Sequence, residues 1–279
     1  MPGVPPNRSA PGTALITGAS SGIGRAFALD LARRGHPLLV VARRADRLDE
    51  LAALVARRHG TAVTPLVADL ATDEGLAATR AAVDALEAAP EVLVLNAGFG
   101  TRGALAGLDR APEADMVRLN CLAVVDLAAH ALPAMVAAGR GAVVVVSSAA
   151  AYQPIPYMAT YSATKAFEDH WARAVAHELR GTGVGVVSVC PGPTATEFST
   201  GAGSPVRVPA LPHERADTVV RAAWRALADG RSSAPVGVVA RVAWAAARVL
   251  PRGVRTHAAG SMHRTTRPAS GLKGSDGCT

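Results

Sequence analysis

The sequence predicts an α/β fold, a single doubly wound domain in which a parallel sheet of six to seven strands carries helices on both faces. Three observations predict it. Short apolar runs alternate with helical stretches of ten residues or more, the cadence of strand–helix–strand crossovers. The apolar runs lack the polar alternation of a solvent-facing sheet, as expected for strands covered on both sides. Hydrophobic residues make up 49% of the 279 residues, enough for a large core.

Each strand is predicted from a short apolar run and each helix from the longer stretch that follows it. The strands are predicted at residues 13–17, 37–42, 62–68, 92–95, 142–146 and 184–189, with 234–240 as a candidate seventh. The helices are predicted from the loop after the first strand to Arg34, and at residues 45–59, 73–88, 113–138, 157–180, 214–228 and 241–250. Gly35 is a natural C-terminal cap for the first helix, and Pro133 predicts a bend in the fourth.

The predicted domain spans residues 12–250, and residues 1–11 are predicted to be flexible because they are rich in proline and glycine. They lack the apolar run of a signal peptide. Residues 193–212 predict a loop that follows a strand end, interpreted as a lid over the substrate, with a plain surface connection as the alternative. Residues 241–250 predict an apolar helix that packs on the domain, on a second subunit or at a membrane surface.

The net charge of +7 does not predict a nucleic-acid partner. Residues 251–279 hold five basic residues and one acid, so +4 of that charge falls in a polar tail that is predicted to be disordered. No basic stripe interleaved with aromatic residues occurs elsewhere. No apolar run reaches the roughly 18 residues that a transmembrane helix needs, so no transmembrane span is predicted.

Cysteine and histidine spacing predicts neither disulfides nor a metal site. Cys121, Cys190 and Cys278 lack metal-binding and redox spacing, which suits a reducing compartment and a cytoplasmic location. His170 and His177 share a helix face but have no further ligands near them in the sequence, so no metal is predicted.

A glycine loop follows the first predicted strand and opens the first helix. Gly18, Gly22 and Gly24 are spaced GxxxGxG. Glycines there allow a tight turn and the close approach of a pyrophosphate, which the N-terminus of the helix favours. Turns alone also select glycine, but the strand–loop–helix context favours a dinucleotide.

Tyr161 and Lys165 lie one turn apart on one face of a predicted helix. A lysine ammonium favours the phenolate by opposite-charge attraction, so the pair predicts a phenol that gives and takes protons more easily near neutral pH. Tyr152 and Tyr157 have no lysine four residues on and are interpreted as pocket-lining residues.

The segment from Thr17 to Gly24, together with Tyr161-xxx-Lys165, resembles the classical short-chain dehydrogenases/reductases, and the resemblance covers roughly residues 13–228. It implies a Rossmann-type domain. The further motifs that match are Asn96-Ala97-Gly98, Asn120, Ser148, Pro191-Gly192 and Thr196. Leu95 stands where many members of the family have asparagine.

The cofactor implied by this resemblance is NADP(H). The second strand ends at Arg43 and Arg44 without the acid that would bind the ribose 2′-hydroxyl of NAD, and Arg43 is suited to a 2′-phosphate. A solvated charge is the alternative for Arg43, and a helix N-cap is the alternative for Asp69, which resembles the family's adenine-contacting aspartate. The predicted cofactor-binding residues are Gly18, Ser20, Ser21, Gly22, Ile23, Gly24, Arg43, Asp69, Leu70, Asn96, Ala97, Gly98, Tyr161, Lys165, Pro191, Gly192, Thr194 and Thr196.

The resemblance implies an oxidoreductase that interconverts a carbonyl and a secondary alcohol by hydride transfer. Tyr161 is the predicted proton donor and acceptor, and Lys165 lowers its pKa and holds the nicotinamide ribose. Ser148 hydrogen-bonds the carbonyl oxygen, with Ser147 as its competitor. Asn120 is assigned a water chain that returns a proton, by resemblance only; an ordinary buried asparagine is the alternative.

The residues around the predicted catalytic group favour a small-molecule, apolar carbonyl or alcohol substrate. Ala149, Ala150, Ile155, Pro156 and Met158 form this apolar lining. The family implies a homo-oligomer. The alternative function is a non-catalytic NADP-binding regulatory or scaffold protein on the same fold.

Overall fold

The computed structural model describes residues 11–194 and 213–263, and it confirms the predicted fold class. A single seven-stranded parallel sheet has the strand order β3-β2-β1-β4-β5-β6-β7. The strands are β1 Ala14–Thr17, β2 Leu38–Ala42, β3 Val63–Val67, β4 Val92–Leu95, β5 Gly141–Val146, β6 Val184–Pro191 and β7 Ser233–Val236. The candidate seventh strand therefore forms, and residues 237–240 after it are helical.

Helices join successive strands and cover both faces of the sheet. The described helices are α1 Gly22–Arg33, α2 Ala45–His59, α3 Asp73–Asp84, α4 Arg110–Val117, α5 Ala123–Ala137, α6 Ala159–Glu178, α7 Ala216–Ala228, α8 Gly237–Val249 and α9 Arg252–His263. Short 3-10 turns occupy Leu105–Gly107 and Ala149–Tyr152.

Successive residues of the central strands enter two different hydrophobic cores. Ile16 of β1 packs in the first core, with Phe27 of α1 and Val219 of α7. Its neighbour Leu15 packs in the second core, with Leu127 of α5. All of these side chains are at most 2% exposed. Because both faces are buried, every position in such a strand selects an apolar residue, which accounts for the missing polar alternation.

The single helix predicted over residues 113–138 is wrong in one respect. The segment Arg118–Leu122 forms a π-helical turn between α4 and α5. Asn120 lies in this turn and is fully buried. A π turn inserts an extra residue into the helical repeat, which apolar periodicity does not reveal. Pro133 lies inside α5 without ending it.

The predicted disorder of residues 251–279 is wrong for residues 252–263, which form α9. The Arg255 guanidinium donates to the backbone oxygen of Tyr152 at 2.7 Å, and Arg102 donates to that of His263 at 3.0 Å. Ala259 is 2% exposed. Small residues give α9 a contact face that composition and charge do not show. Residues 264–279 lie outside the described part of the chain, as do residues 1–10 and residues 195–212 of the predicted lid.

The helix predicted at residues 241–250 begins earlier, as α8, and packs on the domain. Ala240 is fully buried, and the Cβ of Val239 lies against Gly192. The guanidinium of Arg248 stacks over the ring of Trp244, 3.6 Å from its centroid.

Within the described residues, one helical stretch, Arg110–Ala137, has the length and apolar composition that could cross a membrane. Its buried side, including Leu127, Ala131 and Met135, packs in the second core. A core helix of a parallel α/β sheet meets the same test of length and composition.

Candidate active site

The carboxyl ends of β1 and β4 are joined by hydrogen bonds through Thr17. Its hydroxyl accepts from the backbone N–H groups of Asn96 and Ala97, at 2.9 and 3.0 Å, and donates to the oxygen of Val94 at 3.3 Å. The Asn96 amide donates back to the oxygen of Thr17 at 2.9 Å and to that of Gly18 at 3.3 Å. The glycine loop and the Asn-Ala-Gly motif therefore form one rigid edge.

The glycine loop has the shape that a pyrophosphate requires. Gly18 has a φ of +66°, and a Cβ on Gly24 would lie 2.4 Å from the backbone oxygen of Gly18, so only glycine fits there. Ser21, at the N-cap of α1, makes no side-chain capping bond, and the first turn of α1 has no acidic residue. The N–H groups at this helix end suit a phosphate anion. The Ile23 side chain packs on the first core.

Two arginines follow β2 at the edge of this loop. The Arg43 side chain is 70% exposed, and its Nη1 lies 3.7 Å from Oδ2 of Asp69 after β3. Arg44 donates from Nη2 to the Ser20 hydroxyl at 3.0 Å. Both positions suit the phosphate end of a dinucleotide. The Leu70 side chain packs in the second core, which leaves its backbone for the predicted cofactor contact.

Asp69 is not the N-cap of α3. That position is occupied by Thr72, whose hydroxyl accepts from the Gly75 N–H at 3.0 Å. Asp69 Oδ1 instead accepts from the Ala71 N–H at 3.0 Å within the turn after β3. Oδ2 faces Arg43, so Asp69 is positioned at the same edge as the arginines.

Tyr161, Ser148 and Lys165 come together where β5 ends and α6 begins. The Ser148 hydroxyl hydrogen-bonds the Tyr161 phenol, and the Lys165 Nζ lies 6.0 Å from the centroid of the Tyr161 ring. Ser147 points elsewhere: it is buried, and its hydroxyl donates to the backbone oxygen of Lys165 at 2.8 Å. The geometry therefore selects Ser148 over Ser147 as the partner of Tyr161.

The sequence predicted a net decrease in the pKa of the Tyr161 phenol, and this direction is wrong. Burial raises the pKa of Tyr161, and the Lys165 ammonium and the Ser148 hydroxyl oppose this rise without cancelling it. Tyr161 is 8% exposed, a burial that sequence spacing does not reveal. The phenol is therefore held in its protonated form, as a proton donor requires.

Sequence reasoning missed Glu168, which forms a buried ion pair with Lys165. Nζ of Lys165 lies 2.9 Å from both carboxylate oxygens of Glu168 and donates to the oxygen of Val146 at 3.0 Å. Burial lowers the pKa of Lys165, but Glu168, Tyr161 and Cys190 together outweigh it, so the net direction is upward. An acid three residues after the lysine on one helix face was the available signal.

The Asn120 side chain links three elements. Its amide donates to the backbone oxygen of Phe99 and to the hydroxyl of Thr164, both at 3.0 Å, and its oxygen accepts from the Phe99 N–H at 3.2 Å. The π turn thereby fixes the loop after β4. A Cβ on Gly100 of that loop would lie 2.7 Å from the Tyr161 ring, so the loop covers the phenol.

An apolar cluster surrounds the Tyr161 ring. Its buried members come from α4, the turn after β5, α6 and α9, and Phe99 packs against them. They are Met116, Ala150, Ile155, Met158, Tyr161 and Ala259. The contribution of α9 was missed because its sequence resembles a polar tail. The Tyr152 hydroxyl, predicted to line the pocket, instead faces Cys190 and Ser233, and Tyr157 has a φ of +66°.

The loop after β6 approaches the same edge of the sheet. Gly192 donates its N–H to the oxygen of Val236 at 3.1 Å, and the Thr194 hydroxyl donates to the oxygen of Gly192 at 3.0 Å. Pro191 is the last residue of β6. The predicted carboxamide contact, Thr196, lies outside the described residues.

A surface cavity of about 920 Å³ lies at the other end of β6. Its lining includes His170, Arg173 and Arg231, and it contains none of the predicted catalytic residues. The catalytic group is therefore placed by its hydrogen bonds and by the strand ends rather than by this cavity.

Comparison with known proteins identifies the family. The short chain dehydrogenase family model matches residues 12–205, so the chain belongs to that family. The chain is 32% identical to the very-long-chain 3-oxoacyl-CoA reductase of Anas platyrhynchos over 75% of this chain and 67% of that protein. It spans only 53% of the length of another relative with that name, from Pyrenophora tritici-repentis, at 35% identity over 63% of this chain.

Solved structures with the same fold are also similar in sequence. A short-chain dehydrogenase from Sphingobium yanoikuyae in complex with NADPH is 35% identical, with a TM-score of 0.77 over 93% of this chain and 99% of that one. The bulky-bulky ketone specific alcohol dehydrogenase from Comamonas testosteroni is 30% identical, with a TM-score of 0.73 over 94% and 98%. The resemblance to short-chain dehydrogenases/reductases is thus confirmed, and the chain is an oxidoreductase of that family.

Proposed function

We propose that the protein is an NADPH-dependent reductase of apolar ketones, with Tyr161 as the proton donor. The observation that carries this proposal is the buried Tyr161 phenol, hydrogen-bonded to Ser148 and facing an apolar cluster at the carboxyl edge of the sheet. A bound dinucleotide supplies or accepts a hydride at the carbonyl carbon. The chain's own residues must then bind the carbonyl and manage one proton.

Each residue of the catalytic group has a separate task in this proposal. The Ser148 hydroxyl donates to the carbonyl oxygen and orients it. Tyr161 gives its phenolic proton to the same oxygen as negative charge develops there. The Lys165 ammonium then stabilises the phenolate until a proton returns. A phenol with a raised pKa remains protonated at neutral pH, which favours the reduction direction.

Apolar contacts support a bulky substrate. The ring of Phe99 and the side chains of Ile155 and Met158 present hydrocarbon to the catalytic phenol. The relatives named above act on 3-oxoacyl-CoA esters or on bulky ketones by name. We therefore infer a ketone flanked by an extended or bulky apolar group. A homo-oligomer and a cytoplasmic location stay predictions.

The preference for NADPH is proposed from charge. Arg43 and Arg44 occupy the position after β2 where an acid would exclude a 2′-phosphate. The NADPH complex of the Sphingobium relative supports the same cofactor.

A carbonyl panel that includes 3-oxoacyl thioesters and bulky ketones tests this function through NADPH oxidation. The wild-type protein should reduce at least one member, and Tyr161→Phe should bind NADPH normally but lose activity by at least about 100-fold. Full activity in Tyr161→Phe would contradict the role of the phenol. NADPH binding without turnover of any carbonyl would instead support a non-catalytic regulatory protein.

A further inference from the structure

Glu168 extends the face of α6 that carries Tyr161 and Lys165, and it uses the hydrogen-bonding capacity of the lysine. Of the three ammonium donors, two serve the Glu168 carboxylate at 2.9 Å and one serves the oxygen of Val146 at 3.0 Å. The side chains of the pair are 5% and 2% exposed. Lys165 therefore acts on the Tyr161 phenol through its charge rather than through a direct hydrogen bond.

A buried ion pair is a costly way to fill this position. Removing two charges from water costs several kcal/mol per ion, and apolar residues of similar size often serve stability equally well. The pair is therefore better explained by what it does to Lys165 than by stability.

Among the described residues, two thiols also face the pair, and both are neutral. Cys121 faces it from the π turn, and burial raises the pKa of this thiol to about 11. Cys190 faces it from β6, and burial raises the pKa of that thiol to about 12. The Ser147 hydroxyl faces Glu168 from the end of β5 and works to lower its pKa. Burial raises the pKa of Glu168 to about 7 although Lys165 opposes the rise, so the carboxylate is ionised in the alkaline range.

We propose that Glu168 is a positioning residue whose carboxylate fixes the Lys165 ammonium beside Gly98 and offsets the positive charge that Lys165 presents to Tyr161. A Cβ on Gly98 would lie 3.3 Å from Nζ, so the ammonium is held directly under the predicted cofactor loop. The proposal rests on the proposed reductase function for its kinetic consequences only.

Charge balance gives the direction of the effect. While Tyr161 is protonated, the Lys165–Glu168 pair has no net charge, so ionising the phenol leaves an uncompensated anion in a buried site. Without the carboxylate the site carries +1, and loss of a proton from the phenol makes it neutral. Glu168 therefore keeps Tyr161 protonated to higher pH and favours carbonyl reduction over alcohol oxidation.

The kinetic test uses Glu168→Gln, which keeps the size of the side chain and removes its charge. Reduction requires protonated Tyr161, so kcat/KM falls above the pKa of the phenol. The alkaline limb of that profile should move to lower pH by roughly one unit or more in Glu168→Gln. The acid limb of alcohol oxidation should move the same way, because both limbs report one phenol. A uniform loss of kcat with unmoved limbs would overturn the proposal.

A second measurement needs no turnover. The chain has three tyrosines, so ultraviolet difference titration of the cofactor-free protein, with Tyr161→Phe as the reference, isolates the ionisation of Tyr161. The isolated step should also move to lower pH in Glu168→Gln. If the protein reduces no carbonyl, this titration still decides the role of Glu168 while the proposed function fails separately.

Asp169→Asn is the matched control. Asp169 is the next residue, equally buried, but its carboxylate accepts from Ser233 at 2.8 Å and pairs with Arg173 at 3.6 Å rather than with Lys165. In Asp169→Asn, the alkaline limb of kcat/KM and the ionisation of Tyr161 should stay at their wild-type pH values. A shift in Asp169→Asn equal to that of Glu168→Gln would mean a general effect of buried charge and would overturn the proposal.

Glu168→Asp keeps the test decisive if Glu168→Gln does not fold. The aspartate retains the charge but its side chain is one methylene shorter, so its carboxylate lies further from Nζ. In Glu168→Asp the alkaline limb of kcat/KM and the ionisation of Tyr161 should therefore occur at a pH below the wild-type value and above that of Glu168→Gln. A Glu168→Asp titration at or above the wild-type position would overturn the proposal.

Discussion

Replacing Asn120 with alanine should destabilise the protein and slow catalysis together. The substitution removes three hydrogen bonds of the buried Asn120 side chain, two at 3.0 Å and one at 3.2 Å. It leaves the N–H and the carbonyl of Phe99 without these partners, whereas the Thr164 hydroxyl keeps its bond to the oxygen of Tyr161 at 2.9 Å. At about 1 kcal/mol for each lost bond, with a further cost for the two orphaned groups, the loss is about 3–4 kcal/mol.

The loss should appear in urea unfolding as a lower midpoint with an unchanged slope, because the surface exposed on unfolding stays the same. Thr164→Val is the control, since it removes one of the three bonds to Asn120 and should cost about 1 kcal/mol. Because the loop that Asn120 fixes covers the Tyr161 ring, kcat/KM should also fall in Asn120→Ala. A loss below about 1 kcal/mol, or one equal to that of Thr164→Val, would refute this account of the π turn.

Two further predictions concern the cofactor edge and the packing of α1 on α7. Arg43→Asp should weaken NADPH binding by at least about tenfold and favour NADH, because a carboxylate repels a 2′-phosphate. Arg47→Asp is the control, since Arg47 lies one turn away and pairs with Glu50. An unchanged ratio of NADPH to NADH affinity in Arg43→Asp would reject the phosphate contact. Asp30→Asn should cost about 1 kcal/mol at pH 7, because Asp30 accepts from Trp224 at 2.8 Å and pairs with two exposed arginines, one in α1 and one at its C-cap. Burial works to raise the pKa of Asp30, but the two arginines and Trp224 hold it below its ordinary 3.8. The extra stability of the wild-type protein over Asp30→Asn should therefore be full at neutral pH and disappear as pH falls below about 4, as measured by urea titrations. A stability difference that persists at low pH would contradict this.

Local sequence signals sufficed for most of the fold. Helix α2 and strand β4 form over the predicted residues 45–59 and 92–95, because their apolar spacing and flanking residues are local properties. The family motifs also placed Ser148, Tyr161 and Lys165 at one strand end, where the structure brings them together.

Features that depend on contacts between distant parts of the chain could not be predicted from the sequence. The π turn is fixed by bonds from Asn120 to residues 21 and 44 positions away, which no local pattern encodes. Helix α9 is recognised only by its packing near Tyr152 and Pro156, about 100 residues earlier in the chain. A Lys-xx-Glu spacing is typical of a solvated helix surface, so the burial of Glu168 and the upward shift in the pKa of Tyr161 became visible only once α6 was packed against β5.

Transfer of deuterium from the reduced nicotinamide tests the central claim most directly. The wild-type protein, incubated with NADPH deuterated at the transferring carbon and with the carbonyl panel, should yield an alcohol one mass unit heavier, with the label on the former carbonyl carbon. Tyr161→Phe should bind the same cofactor and yield no labelled alcohol above background. An alcohol without label from the wild-type protein, or equal labelling by Tyr161→Phe, would contradict a carbonyl reductase that works through this phenol.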